Sequence, residues 1–133
     1  PGEKETNFAN TMDLVKKIRP LRTHIFSYSC RPGTAACNLP EKVSDETVKD
    51  RHQRLLELSD AGSRAYQKKF IGKTMLVLPE GGTKAGGQFR EGYTDNYLKV
   101  RFKSGGCVRN RLIPMLLKAM ERDVIYALPV LKK

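Results

Sequence analysis

A chain of 133 residues can hold one ordinary domain or two very small ones, and a unit of about 60 residues buries only a modest core. With 39% hydrophobic and 29% charged residues, and no long low-complexity tract or like-charge block, it is expected to fold. The 25 Lys and Arg against 14 Asp and Glu give +11, and the excess lies late: 11 basic and 9 acidic residues through Tyr66, then 14 and 5. That asymmetry predicts a polyanionic partner, nucleic acid before membrane, because no basic helix with large apolar residues opposite is evident. No apolar run is long enough to span a bilayer, so no membrane partner is expected. No signal peptide is evident, and a start at Pro1 rather than Met suggests an excised fragment.

In chain order, Phe8, Met12, Val15 and Ile18 follow one stripe of a helix over residues 6–18, with Thr6 or Asn7 as cap and Pro20 closing it. The run LRTHIFSYS reads as a short strand ending at CRPGT, where Pro32-Gly33 signals a turn. A helix, a strand and a turn do not make a domain, so exposed apolar surface is expected among residues 1–40. From Ser44, an N-cap with Asp45 and Glu46 in the first turn, a second helix runs toward Phe70 with Val48, His52, Leu55 and Leu58 or Ser59 along one side. Gly62 is a place for it to bend, and Gly72 ends it.

After Gly72 the texture changes to short strands: KTMLVLP, a Gly-rich stretch with Gly81, Gly82, Gly86 and Gly87, QFREGYT, NYLKVRF, the turn SGG, CVRNRLIPM and DVIYALPV. This predicts a small OB or SH3-like antiparallel β-barrel. Residues 114–122 leave open a strand extension or one helical turn. The fold class is therefore α+β, with domains at 1–43, 44–69 (the linking helix) and 70–133 (the barrel).

The stretch Gly92 to Lys103 alternates. Leu98, Val100 and Phe102 take one face; Tyr93, Asp95, Tyr97, Lys99, Arg101 and Lys103 take the other. Cations about 6–7 Å apart along a strand approximate the phosphate repeat of an extended single strand, and tyrosines beside them suit unpaired bases. Lys73 and Arg90 join this candidate RNA-binding set, and Lys68, Lys69, Lys84, Arg109 and Arg111 add charge. Asp95-Asn96 reads first as turn chemistry, with a base-edge contact from Asn96 as the sharper reading.

Tyr28, Ser29, Arg31 and Thr34 sit at the end of the expected first strand, where α/β folds bind ligands, although a turn with a solvated Arg31 is the plainer reading. No nucleophile–base pair, phosphate loop or paired carboxylates can be found, and His24 and His52 each stand alone. Cys30, Cys37 and Cys107 lack CxxC spacing; they read as free thiols in a reducing cytosol, and no metal site is expected. Bottom-up, this chain binds and does not catalyse.

PGEKETNF, LRTHIFSYSCRPGTAACNLPEKV, FIGKTMLVL and EGYTDNYLKVRF, in this order, resemble the C-terminal part of bacterial radical S-adenosylmethionine tRNA methylthiotransferases, most closely the branch acting on threonylcarbamoyladenosine beside the anticodon. Pro1, Gly2 and Glu3 match the family's PGE(T), with Lys4 where Thr is usual. Tyr28, Ser29, Arg31, Pro32, Gly33 and Thr34 match the loop at the barrel mouth, and Thr94, Asp95, Asn96 and Tyr97 match the signature of the appended TRAM domain. Beyond Gly105 the similarity thins. The resemblance implies that residues 1–43 are a helix–strand remnant of a radical-SAM barrel and that the TRAM barrel grips a tRNA anticodon arm. Tyr28, Ser29, Arg31 and Thr34 then contact cofactor or substrate. The parent's S-adenosylmethionine and iron–sulfur clusters would belong to an upstream radical-SAM domain, itself a partner, and the CxxxCxxC motif is absent here. No cofactor is expected in the fragment, and it is expected to be inactive alone. Two rivals stand: a structural module docking on the catalytic domain, and an independent nucleic-acid-binding module.

Overall fold

The computed structural model describes residues 1–80, 88–103 and 110–130. The expected Gly-rich hairpin at 81–87, the SGG turn, and Lys84, Cys107 and Arg109 lie outside the described residues. The chain divides into two compact units, Pro1–Tyr66 and Gln67–Lys133.

In the first unit, α1 spans Glu5–Ile18 and α2 begins at Asp45, running to Lys68 and so carrying the chain into the second unit. The cap of α1 lies two or three residues earlier than expected, at Lys4. Asn7 acts from inside the first turn, its Oδ1 accepting the Lys4 backbone N–H at 2.9 Å. Arg19 closes the helix in the left-handed region (φ 51°), directly before Pro20. Ser44 caps α2 as expected, its hydroxyl accepting the Thr47 N–H at 3.3 Å, and the helix passes Gly62 without a break.

The expected strand at 21–29 does not form: the segment lies outside any strand among the described residues. A strand exists only through a neighbour that accepts and donates its ladder hydrogen bonds. Phe8 is buried at 2% exposure, while Leu14, Ile18, Phe26 and Leu39 stay exposed, so the expectation of uncovered apolar surface holds. Between α1 and α2, Phe8 lies under two guanidinium groups, Arg51 at 5.3 Å and Arg54 at 4.7 Å from the ring centroid. Arg51, largely buried, donates to the Glu3 carboxylate at 2.7 Å and to the Glu3 carbonyl at 3.0 Å. Glu3 of the PGE run is thereby bound to α2. The hydrogen bond from Arg54 holds the Glu5 carboxyl below its usual range.

The second unit is a closed five-stranded barrel in the order β1-β2-β3-β5-β4, with β1 Thr74–Glu80, β2 Phe89–Thr94, β3 Lys99–Lys103, β4 Ile113–Glu121 and β5 Val124–Pro129. All pairs are antiparallel except β3 with β5. The α+β class with a small barrel is borne out. Residues 114–121 form strand, not helix, with an irregularity between Leu117 and Ala119, and β4 starts only at Ile113. Arg122 and Asp123, both at positive φ, make the two-residue turn into β5 that suits the right-handed strand twist.

Alternation explains the core. Val77, Leu98, Val100, Phe102, Met115, Leu117, Ile125 and Ala127 point inward and are at most 3% exposed. Gly92 is required where β1 and β2 approach: a Cβ there would lie 2.5 Å from the Leu78 carbonyl oxygen and 2.9 Å from Val77 Cγ1.

Candidate nucleic-acid interface

The β2–β3 register fixes what shares the outer face. Phe89 stands opposite Lys103, Glu91 opposite Arg101 and Tyr93 opposite Lys99, while on the other side of β3 Arg101 stands beside Tyr126 of β5. Because Val100 and Phe102 fill the core, Lys99, Arg101 and Lys103 must face out. The structure thus brings together Tyr93, Lys99, Arg101 and Lys103 as the alternation predicts.

It adds three residues that the charge-led reading missed: Phe89, Glu91 and Tyr126. The signal was the same count by twos, which puts Phe89 and Glu91 with Tyr93 on β2; the pairing with Tyr126 depends on a parallel strand remote in sequence. Glu91 lies between two of the cations, its carboxylate 2.7 Å from Lys99 Nζ and 2.7 Å from an Arg101 terminal nitrogen. Hydrogen bonds from Lys99 and then Arg101 hold the Glu91 carboxyl below its usual range. Arg101 is held more firmly protonated, by Glu91 first and the Tyr126 phenol second. Lys103 has no carboxylate partner among the described residues; its ammonium lies 5.8 Å from the centroid of the Phe89 ring, and that ring meets Tyr126 edge-on at 6.3 Å.

The other end of the β2–β3 ribbon is a tight turn. The Thr94 hydroxyl accepts the Leu98 N–H at 2.9 Å and donates to Asn96 Oδ1, and Asp95 Oδ1 accepts the Asn96 N–H at 2.9 Å. Asn96 therefore serves the turn, the plainer of its two readings. Tyr97 sits in the left-handed region (φ 61°) with 74% of its surface exposed, at the tip rather than on the strand face.

Two members of the predicted set are elsewhere. Arg90 belongs with Gly92 and Thr94 on the inward-facing side of β2, where its Nε and one terminal nitrogen are buried, because one residue along a strand reverses the face. Lys73 precedes β1 on the β1–β4 side, its ammonium 5.1 Å from the Phe70 ring centroid. The outer positions there are apolar: Leu76 and Leu128 are half exposed, and Leu76 stands opposite Pro114 while Leu128 stands opposite Leu116.

In the first unit, Tyr28, Ser29, Arg31 and Thr34 are all exposed. Arg31 to Thr34 form a turn in which the Arg31 carbonyl accepts the Thr34 N–H at 3.2 Å and its hydroxyl at 2.8 Å, with Gly33 at φ 84°. Contrary to the free-thiol expectation, the sulfurs of Cys30 and Cys37 are joined across this turn, their Cα atoms 5.1 Å apart. Tyr28 turns toward a groove of about 590 Å³ lined with Phe8, Ile25, Val48, His52 and Leu55. Among the described residues no three His, Cys, Asp or Glu side chains converge. No described helix is long and apolar enough to cross a membrane.

No family model matches the chain. Curated proteins do. The chain is 32% identical over 121 residues to a tRNA-2-methylthio-N(6)-dimethylallyladenosine synthase of Acetivibrio thermocellus, covering 91% of the chain and 25% of that protein. It is 32% identical over 122 residues to the threonylcarbamoyladenosine tRNA methylthiotransferase MtaB of Bacillus subtilis, covering 90% and 27%. Against the corresponding synthase of Francisella tularensis subsp. novicida it is 36% identical over 103 residues, covering 77% and 23%. By sequence, the chain is homologous to part of the tRNA methylthiotransferases. The resemblance carried by the PGE, RPGT and TDNY runs is borne out. The chain spans about a quarter of the length of these curated relatives.

Proposed function

We propose that this methylthiotransferase-like chain is the RNA-gripping part of a tRNA-modifying enzyme, in which the barrel acts as a TRAM domain and holds a tRNA anticodon arm. The observation that carries the reading is the β2–β3–β5 outer face, where Lys99, Arg101 and Lys103 alternate along one strand between the aromatic rings of Tyr93, Phe89 and Tyr126. Cations at that repeat suit a phosphate backbone, and rings beside them suit bases. The relatives' names support tRNA as the substrate class. The methylthiolation itself, with S-adenosylmethionine and iron–sulfur chemistry, belongs in this reading to a radical-SAM domain outside this sequence. Tyr28, Ser29, Arg31 and Thr34 are the residues proposed to meet its cofactor or substrate.

The test is binding of an anticodon stem-loop RNA at several salt concentrations. Affinity falls steeply with salt, and Lys99→Ala with Arg101→Ala lowers both the affinity and the log–log salt slope, the latter by about 1.4 if each contacts one phosphate of a single strand. Salt-independent binding, or an unchanged double variant, sinks the reading.

A second reading rests on a different observation. The outer face of β1 and β4 is apolar at Leu76, Pro114 and Leu116, and Leu128 of β5 adjoins it. Such a face suits docking on another protein domain, and the two readings are compatible because they use different side chains of the barrel surface.

A further inference from the structure

Resting on that RNA-binding reading, we infer that Phe89 and Tyr126 form the stacking platform for one unpaired base, with Lys103 reaching the phosphate of the same nucleotide. Phe89 is 43% exposed although it is a large apolar ring on a strand whose inward positions are taken by Arg90, Gly92 and Thr94. It is not propped against the core. Its neighbours are Tyr126, edge-on at 6.3 Å, and Lys103, whose ammonium lies 5.8 Å from the ring centroid.

The three side chains come from three strands. Phe89 opposes Lys103 across the β2–β3 ladder, and Tyr126 stands beside Arg101 across the β3–β5 ladder, one alternation from Lys103. Tyr126 stands beside Arg101, which Glu91 holds in turn. The two rings meet edge-on and so do not cover each other face to face. An ammonium over an aromatic face marks where a flat π-system of low electron density can lie, and the flexible lysine swings off it at little cost when a phosphate is within reach. Lys103 is also the cation of this face that no described carboxylate neutralises, so its charge is available to a ligand while those of Lys99 and Arg101 are shared with Glu91.

Paired bases present only edges and sugar–phosphate to such a surface, whereas unpaired ones offer a face to the ring. The platform therefore selects single-stranded nucleotides over duplex, which charge alone does not do. Tyr97, at the far turn, is separated from this platform by the Tyr93–Lys99 pair.

The experiment measures binding of two RNAs of equal length and charge, one a hairpin with 2-aminopurine in its loop and the other fully paired, to the native chain and to Phe89→Leu, Phe89→Trp and Tyr126→Phe. Phe89→Leu keeps apolar bulk without the ring; it is expected to weaken hairpin binding about tenfold or more and to abolish quenching of the 2-aminopurine. Its affinity for paired RNA and its salt slope stay as in the native chain. Phe89→Trp and Tyr126→Phe keep both rings and with them hairpin binding, and the unchanged paired-RNA affinity of Phe89→Leu guards against a folding defect in that variant. If Phe89→Leu leaves hairpin binding unchanged while the Lys99/Arg101 double variant loses it, the platform is wrong and RNA binding stands. Equal weakening toward both RNAs also overturns the platform. If the native chain binds neither RNA, both the platform and the reading beneath it fall.

Discussion

Glu91 stands directly opposite Arg101 across the β2–β3 ladder and accepts its hydrogen bond at 2.7 Å, while its other carboxylate oxygen lies 2.7 Å from Lys99. One acid thus occupies the position that a phosphate would take between two cations. Glu80 of β1 stands opposite the same residue, which makes this corner less cationic than the lysine and arginine count suggests.

Replacing Glu91 separates its two effects. Glu91→Gln frees Lys99 and Arg101 for phosphate, and stem-loop affinity is expected to rise about two- to fivefold with a steeper salt dependence. Half-exposed pairs of this kind stabilise little, so the same variant costs about 0.5 kcal/mol of folding stability at neutral pH. The sign with pH follows from the depressed carboxyl: its contribution is present above the ordinary glutamate range and is lost as pH falls through the lowered value. Chemical denaturation of native and variant chains across acid pH should therefore converge at the acid end. Weaker RNA binding by Glu91→Gln would mean instead that Glu91 positions the two cations.

Thr94 bears the turn that presents Tyr97. Its hydroxyl is buried, accepts the Leu98 N–H and donates to Asn96. Thr94→Val keeps the shape and leaves that N–H without an acceptor, which is expected to cost about 1–3 kcal/mol. Thr94→Ser keeps the hydroxyl and most of the stability. Urea titrations of the two variants decide it: equal midpoints would mean the hydroxyl contributes nothing.

Cys30 and Cys37 close a short ring, with sequence separation 7, around the Arg31–Thr34 turn. In the chain-entropy account, such a ring stabilises by about 2–3 kcal/mol. Reductant, or Cys30→Ser, is expected to speed proteolytic cutting between residues 30 and 37 without changing cleavage in the barrel. An unchanged cutting rate under both treatments would show that the bridge does not restrain the loop.

Much of the barrel was legible because its strands obey a period of two. Leu98, Val100 and Phe102 against Lys99, Arg101 and Lys103 gave the inward and outward faces before any neighbour was known. The same period assigned Arg90 to the inward side with Gly92, yet its charge drew it into the candidate set. The run at 21–29 failed for the opposite reason. Its residues have strand character, but strand formation needs a hydrogen-bonding neighbour that is not among the described residues.

Local chemistry, then, was written in the chain itself: the Ser44 cap, the Thr94–Asn96 turn, the alternating faces and the runs shared with tRNA methylthiotransferases all depend on residues close in sequence. Tertiary structure alone decided which cations are neutralised, which rings meet and which thiols join. Glu91 reaches Lys99 and Arg101 only through one register, Phe89 meets Tyr126 only because β5 runs parallel beside β3, and Cys30 finds Cys37 only through the Pro32-Gly33 turn. The physical reason is that such contacts act over a few ångströms, and closure of the barrel and of that turn sets which side chains come within that range.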